Sequence, residues 1–224
     1  MTQAAVYAAP HDAFDRLAAL TTDDMSRVAA EIDARMRSDQ TALIAQVADH
    51  LIGAGGKRIR PMLTVAAAQL CGYEGDGHVR LAAAVEFIHN ATLLHDDVVD
   101  ESGRRRGKPT ANRVFGNKPT VLVGDFLFAR AFQLMVETGE LEVLRLLSNA
   151  AAVIVEGEVL QLAHEGDLSG GERVYFRVIR GKTAALFEAA AEAGAAIAHA
   201  EPEKATALRV YGDALGIAFQ IADD

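Results

Sequence analysis

The stretch Leu93-Leu94-His95-Asp96-Asp97-Val98-Val99-Asp100-Glu101 sets three aspartates inside an apolar run, and the basic segment Arg104-Arg105-Arg106-Gly107-Lys108 follows almost at once. On a helix, Asp96 and Asp100 stand at i,i+4 and Asp97 and Asp100 at i,i+3, so like charges crowd one flank at an electrostatic cost. A hard cation removes that cost. Mg²⁺ takes oxygen ligands and fills much of its octahedron with water and substrate phosphate, so a few carboxylates without Cys or His suit it. A solvated acidic helix end is the competing reading, and the Leu93-Leu94 and Val98-Val99 pairs speak against a fully solvated face. An acidic cluster joined to a basic one suits a phosphorylated substrate held through metal.

Outward from this stretch, helical periodicity dominates and strand signals are nearly absent. Met25, Val28, Ile32 and Met36 recur at helical spacing, as do Leu43, Val47 and Leu51. Pro61, Pro119 and Pro202 each sit near the start of an apolar-periodic stretch, where a missing N–H costs little. Ser169-Gly170-Gly171-Glu172 has the form of a capping box. These signals predict helices over 12–20, 23–37, 39–53, 59–71, 78–101, 119–138, 140–165, 170–180, 182–199 and from 203 onward, with the longest irregular stretch at 102–118. The fold class is all-α.

The chain has 224 residues, half of them hydrophobic, enough for one substantial domain over 1–224, and shows no linker. A net charge of -9 argues against a nucleic-acid surface and for local basic clusters that meet a small anion. The single Cys71 forms no internal disulfide, and Met1 to Pro10 lacks the basic start of a secretory signal, so a reducing cytoplasm is expected. Charges interrupt every Ala-rich stretch, so no transmembrane segment is expected, although an oily product would bring peripheral membrane contact. The final Phe219-Gln220-Ile221-Ala222-Asp223-Asp224 has no capping tail, which reads as a domain truncated at its C-terminal end.

Two further features carry chemistry. In Gly53-Ala54-Gly55-Gly56-Lys57-Arg58-Ile59-Arg60-Pro61 the glycines permit close backbone approach, and Lys57 and Arg60, one helical turn apart, can grip one anion. A glycine turn with solvated bases is the plainer reading. It is not a Walker A loop, because Arg-Ile-Arg follows the lysine and no strand precedes it. His89 precedes Asp96 by seven residues, roughly 20° apart on an ideal helix. It reads as a ligand on the aspartate face or as a packed core residue.

Taken together, Gly56-Lys57-Arg58-Ile59-Arg60-Pro61, Asp96-Asp97-Val98-Val99-Asp100, Arg105-Arg106-Gly107-Lys108-Pro109-Thr110, Gly181-Lys182-Thr183 and Phe219-Gln220-Ile221-Ala222-Asp223-Asp224 resemble the ordered motif set of the trans-isoprenyl (polyprenyl) diphosphate synthases. The resemblance covers the chain from about residue 50 to its last residue. It implies helices around a deep central cavity, with the acidic motifs facing each other at its mouth. It implies that Asp96, Asp97 and Asp100 hold Mg²⁺ bridged to an allylic diphosphate, with Arg105, Lys182 and Thr183 on that same group. Asp223 and Asp224 match the start of the second acidic motif and imply Mg²⁺ ligands from the opposite wall. Lys57, Arg60, His89 and Arg106 match positions that bind isopentenyl diphosphate, and Gln220 matches the glutamine beside the second motif. The motif's third aspartate and a downstream lysine have no counterpart in these residues.

The implied function is Mg²⁺-dependent addition of isopentenyl diphosphate to an allylic diphosphate, by an enzyme that usually forms homodimers. A terpene cyclase or head-to-head synthase shares the acidic helices but need not hold a second diphosphate, so Lys57, Arg60 and Arg106 favour elongation. A non-catalytic partner subunit would be expected to lose acidic residues, and Asp96, Asp97 and Asp100 are intact. In the family a bulky aromatic five positions before the first aspartate blocks the growing tail; here Ala91 stands there, followed by Thr92. That implies a long product, in the octaprenyl to decaprenyl range used for quinone side chains. An ideal helix sets Ala91 roughly 140° from Asp96 and Thr92 about 40° away, so Ala91, Thr92 and Ile88 are the chain-length candidates.

Overall fold

A computed structural model describes residues 10–53, 55–166 and 170–224. The described chain is all-α. In order run α1 (Pro10–Arg35), α2 (Ala42–Ile52), α3 (Ile59–Leu70), α4 (Gly77–Val99), two-residue strands β1 (Arg104–Arg105) and β2 (Lys108–Pro109), α5 (Ala111–Phe115), α6 (Asn117–Glu137), α7 (Leu141–Ala163), α8 (Gly171–Ile179), a π turn (Arg180–Ala184), α9 (Ala185–Ile197) and α10 (Pro202–Asp223).

The hub is α4. Its alanines and branched side chains are buried on nearly every face, as a helix apolar all round requires, and it meets α1, α3, α6 and α9. Small residues let the outer helices close in. A Cβ added at Gly194 of α9 would stand 2.6 Å from the Thr64 carbonyl oxygen of α3, a contact only glycine permits. The periodic residues Val28, Ile32, Met36, Val47 and Leu51 join the core, whereas Leu43 stays 38% exposed.

Three expectations change. The predicted break between 20 and 23 is absent, and α1 runs through it. Thr21 and Thr22 donate back to the Leu17 and Ala18 carbonyls at 2.9 and 2.8 Å instead of capping a new helix. Asp24 accepts from Gln69 Nε2 at 2.9 Å and lies 2.8 Å from His78 Nε2, tying α1 to α3 and α4. The predicted gap at 181 is the π turn, so α8, the turn and α9 are continuous. The expectation that no stretch is long and apolar enough to span a bilayer fails for α6, whose 21 residues pass by length and composition. One face of α6 nonetheless buries Val123, Leu127, Ala131 and Leu134. The predicted capping box lies outside the described residues at Ser169.

The 102–118 segment is a hairpin with a short helix. Its central residues Arg106 and Gly107 have φ of 50° and 80°, the positive pair that a two-residue type I′ turn needs. Lys108 Nζ donates to the Gly53 carbonyl at 2.5 Å, and His50 Nε2 donates to the Pro109 carbonyl at 2.8 Å. Both bonds clamp the hairpin to the C-terminal end of α2, where the glycine-rich loop begins.

Candidate functional site

The hairpin clamp builds the first cavity, of about 500 Å³. Lys57, Arg58, Arg60, Arg105 and Arg106 line it with His89, Asn90, Glu86 and Asp223, so five cations face two carboxylates. Gly56 makes room for the Arg106 guanidinium, since a Cβ there would stand 2.8 Å from Arg106 Nη1. The Arg60 guanidinium lies 4.3 Å over the Phe187 ring, and its Nη1 donates to His89 Nε2 at 3.3 Å. Its Nε is buried without a partner. Burial lowers the Arg60 pKa to about 10, against the charge of Glu86. Burial, followed by the Arg60, Arg106 and Arg105 charges, holds the His89 pKa well below the ordinary histidine range. His89 is therefore a neutral acceptor for Arg60, and the cavity is a positive seat for an anion.

The second cavity, about 1000 Å³, has the opposite sign. Asp100, Glu101, Glu158, Glu165 and Asp224 line it with Lys182, Thr183, Gln220 and Tyr175. Lys182 rides on the π turn, a widening often found at functional sites. The turn presses against α7: a Cβ added at Gly157 would stand 2.7 Å from the Lys182 backbone nitrogen. Lys182 Nζ donates to Glu158 Oε2 at 2.8 Å and lies 3.8 Å from Asp96 Oδ2. Burial works against the Lys182 charge, but the Glu158 bond and the charges of Asp96 and Asp100 outweigh it and raise its pKa. Asp96 is pushed up to about 7 chiefly by burial; Glu158 and Asp100 add to the rise, and Lys182 and Arg105 oppose it. On the far wall, Thr183 Oγ1 donates to Gln220 Oε1 and Gln220 Nε2 to Asp224 Oδ1, both at 2.7 Å. Tyr175 OH donates to Asp224 Oδ2 at 2.5 Å, and these bonds lower the Asp224 pKa.

The end of α4 lies between these groups. Asp97 is 1% exposed, and its Oδ1 accepts from Arg105 Nε and Nη2 at 3.0 and 2.8 Å. Asn112 Nδ2 donates to the Asp97 carbonyl at 2.8 Å. Arg105 is thereby held in the first cavity, with Lys57, Arg60, His89 and Arg106, whereas Lys182, Thr183 and Gln220 share the second. The adjacent Asp223 and Asp224 divide between the two. Ala91 and Ile88 are 0% and 1% exposed in the main core, and Thr92 Oγ1 donates to the His89 carbonyl at 2.8 Å. None of these three lines either cavity.

The carboxylates of the second cavity outnumber its lysine, and with one histidine, His164, beside them they fit a hard divalent cation. Among the described residues, no three His, Cys, Asp or Glu side chains converge closely enough to share one. Four side chains of the site escape a reading of the sequence: Glu86, Asn112, Glu158 and Tyr175. Glu86 carries a signal, a lone carboxylate in the apolar run Ala82–Ile88 three residues before His89. Glu158 is one of two glutamates flanking Gly157, and nothing local tells which of them faces inward.

The profile of the polyprenyl synthetase family matches residues 41–224. The chain belongs to that family. As a polyprenyl synthetase family member it is 53% identical to the octaprenyl diphosphate synthase of Escherichia coli K12 over 210 residues, 94% of this chain and 65% of that protein. A crystal structure of a decaprenyl diphosphate synthase from Rhodobacter capsulatus superposes with a TM-score of 0.92 at 61% identity, covering 94% of this chain and 65% of that one. A polyprenyl synthase from Caulobacter crescentus CB15, complexed with calcium and isoprenyl diphosphate, gives a TM-score of 0.92 at 56% identity, with 94% and 64% covered. The chain therefore spans just under two thirds of the length of these polyprenyl synthetase relatives.

Proposed function

We propose that the protein is a prenyltransferase that condenses isopentenyl diphosphate with an allylic diphosphate into a long all-trans polyprenyl diphosphate, for a quinone side chain. The observation that carries this is the pair of cavities of opposite charge. A basic cavity takes a bare diphosphate, and an acidic one takes a diphosphate accompanied by cations. The relatives' names, octaprenyl and decaprenyl diphosphate synthase, support the long product.

In this reading Lys57, Arg60, His89 and Arg106 seat isopentenyl diphosphate. Lys182 and Thr183 hold the allylic diphosphate, with Gln220 fixing Thr183. Asp96, Asp97 and Asp100, with Asp223 and Asp224, are the ligands proposed for Mg²⁺, which supplies Lewis-acid stabilisation of the charge on the departing diphosphate. Arg105, anchored by Asp97, adds a fixed positive charge that needs no reorganisation as the allylic C–O bond breaks. The isopentenyl double bond attacks the allylic carbon, and the released diphosphate takes the proton that restores an alkene. No protein nucleophile is needed. A homodimer is proposed through the face of α6 turned away from α4, where Leu122, Phe132 and Val136 are exposed, and the cytoplasm is the proposed compartment.

The test is a pair of substitutions, made in this chain and in the chain continued with the C-terminal segment of the Caulobacter relative. Arg106→Ala should chiefly raise KM for isopentenyl diphosphate and Lys182→Ala chiefly KM for the allylic substrate. Identical effects of both on both constants would refute the two-site assignment.

A further inference from the structure

We infer that Glu158 is a positioning residue: it fixes the ammonium of Lys182 where the proposed reading seats the allylic diphosphate. The inference rests on that reading and adds a residue to it.

Three observations support it. The backbones of α7 and the π turn touch, because Gly157 and Gly181 face each other; a Cβ at Gly181 would stand 3.0 Å from Gly157 Cα and 3.2 Å from the Val153 carbonyl oxygen. That contact sets the register, so residue 158 is carried to the Lys182 side chain by two rigid elements instead of a loop. Second, the bond from Lys182 Nζ to Glu158 Oε2 is 2.8 Å, short and charge-assisted, while Asp96 Oδ2 at 3.8 Å lies beyond a hydrogen bond. An ammonium has three N–H donors. One is committed to Glu158, and the other two remain for an anion in the cavity that Lys182 and Glu158 line together. Third, Glu158 Oε1 is buried with no partner.

Leaving a carboxylate oxygen buried and unmatched is costly, and an apolar pair of similar size would pack the junction more stably. What the carboxylate supplies is orientation. Lysine has a long flexible stem and a point charge, so its location depends on a partner. A carboxylate beside a diphosphate also repels it unless a cation stands between them, and here Lys182 occupies that place.

The experiment measures binding of geranyl diphosphate, with Mg²⁺ present, by titration calorimetry to the parent chain, Glu158→Ala, Glu158→Gln, Lys182→Ala and the double Ala variant. Glu158→Ala should weaken binding about 10-fold, and Glu158→Gln, which keeps an acceptor but not the charge, by less. In the Lys182→Ala background, Glu158→Ala should weaken binding by no more than about twofold, because a residue that acts through Lys182 has nothing left to act on. Melting curves of Glu158→Gln control for folding. Equal affinity of Glu158→Ala and the parent overturns the inference. So does a double variant in which the two losses multiply, since Glu158 would then act on the metal or the diphosphate directly. Failure of the parent itself to bind would sink the prenyltransferase reading instead.

Discussion

Gly157→Ala tests the contact on which the second cavity is built. The new Cβ would lie 2.7 Å from the Lys182 nitrogen, 3.0 Å from Gly181 C and 3.1 Å from Gly181 Cα, all backbone atoms that no rotamer change can move aside. Bringing the closest contact to an ordinary 3.4 Å requires α7 and the π turn to part by about 0.7 Å. Overpacking of this kind costs about 1–3 kcal/mol, and the better helix propensity of alanine returns about 1 kcal/mol. A net loss of up to about 2 kcal/mol is expected in urea unfolding. The functional loss should be larger in proportion. A misplacement near 1 Å is worth on the order of 100-fold in rate, and the substitution displaces Lys182 and Thr183 together relative to Asp96. Turnover and Mg²⁺-dependent geranyl diphosphate binding should both fall by more than about 10-fold while helix content by circular dichroism is kept. A raised urea midpoint would show that the backbones are not in contact. The expected loss of stability with turnover within about twofold of the parent would refute the claim that this seat positions Lys182.

Three further outcomes are expected. Asp97→Asn should cost about 2 kcal/mol in urea unfolding, less than a fully buried pair because Arg105 reaches solvent, and should lower turnover by loosening Arg105; an unchanged midpoint would mean that the bonds at 3.0 and 2.8 Å contribute nothing. His89 is neutral when folded, with its pKa held below the unfolded value near 6.5. The unfolded chain therefore binds the proton first, and stability that is full above pH 6.5 is lost as pH falls through 6.5 toward the folded value, by up to about 1.4 kcal/mol per unit. His89→Gln should flatten that slope in melts across pH 7 to 5, and an identical slope would place the titration elsewhere. Ala91→Tyr should shorten the product on chromatography while costing about 1–3 kcal/mol, since the residue is fully buried; an unchanged length at comparable turnover would pass the role to Thr92 or Ile88.

The sequence alone determined the helices and the chemistry of the motifs, because both are local. A 3.6-residue apolar period needs no knowledge of neighbours, and Asp96, Asp97 and Asp100 share a flank by helix geometry alone. It also yielded the two anion-binding groups as a resemblance in five ordered motifs. What it could not contain was the partnership between distant residues. The break expected between residues 20 and 23 does not form: Thr21 and Thr22 bond back to the preceding turn, and Asp24 meets Gln69 and His78, which only α3 and α4 bring up. Arg105 and Arg106 are neighbours in sequence, yet a hairpin turn with two positive φ values and a clamp from Gly53 and His50 decide where they go. Glu156 and Glu158 look alike along the chain. The approach of Gly157 to the Lys182 backbone turns one of them toward the lysine, because burial and charge pairing depend on what lies across a contact, and that distance exists only once the chain has folded.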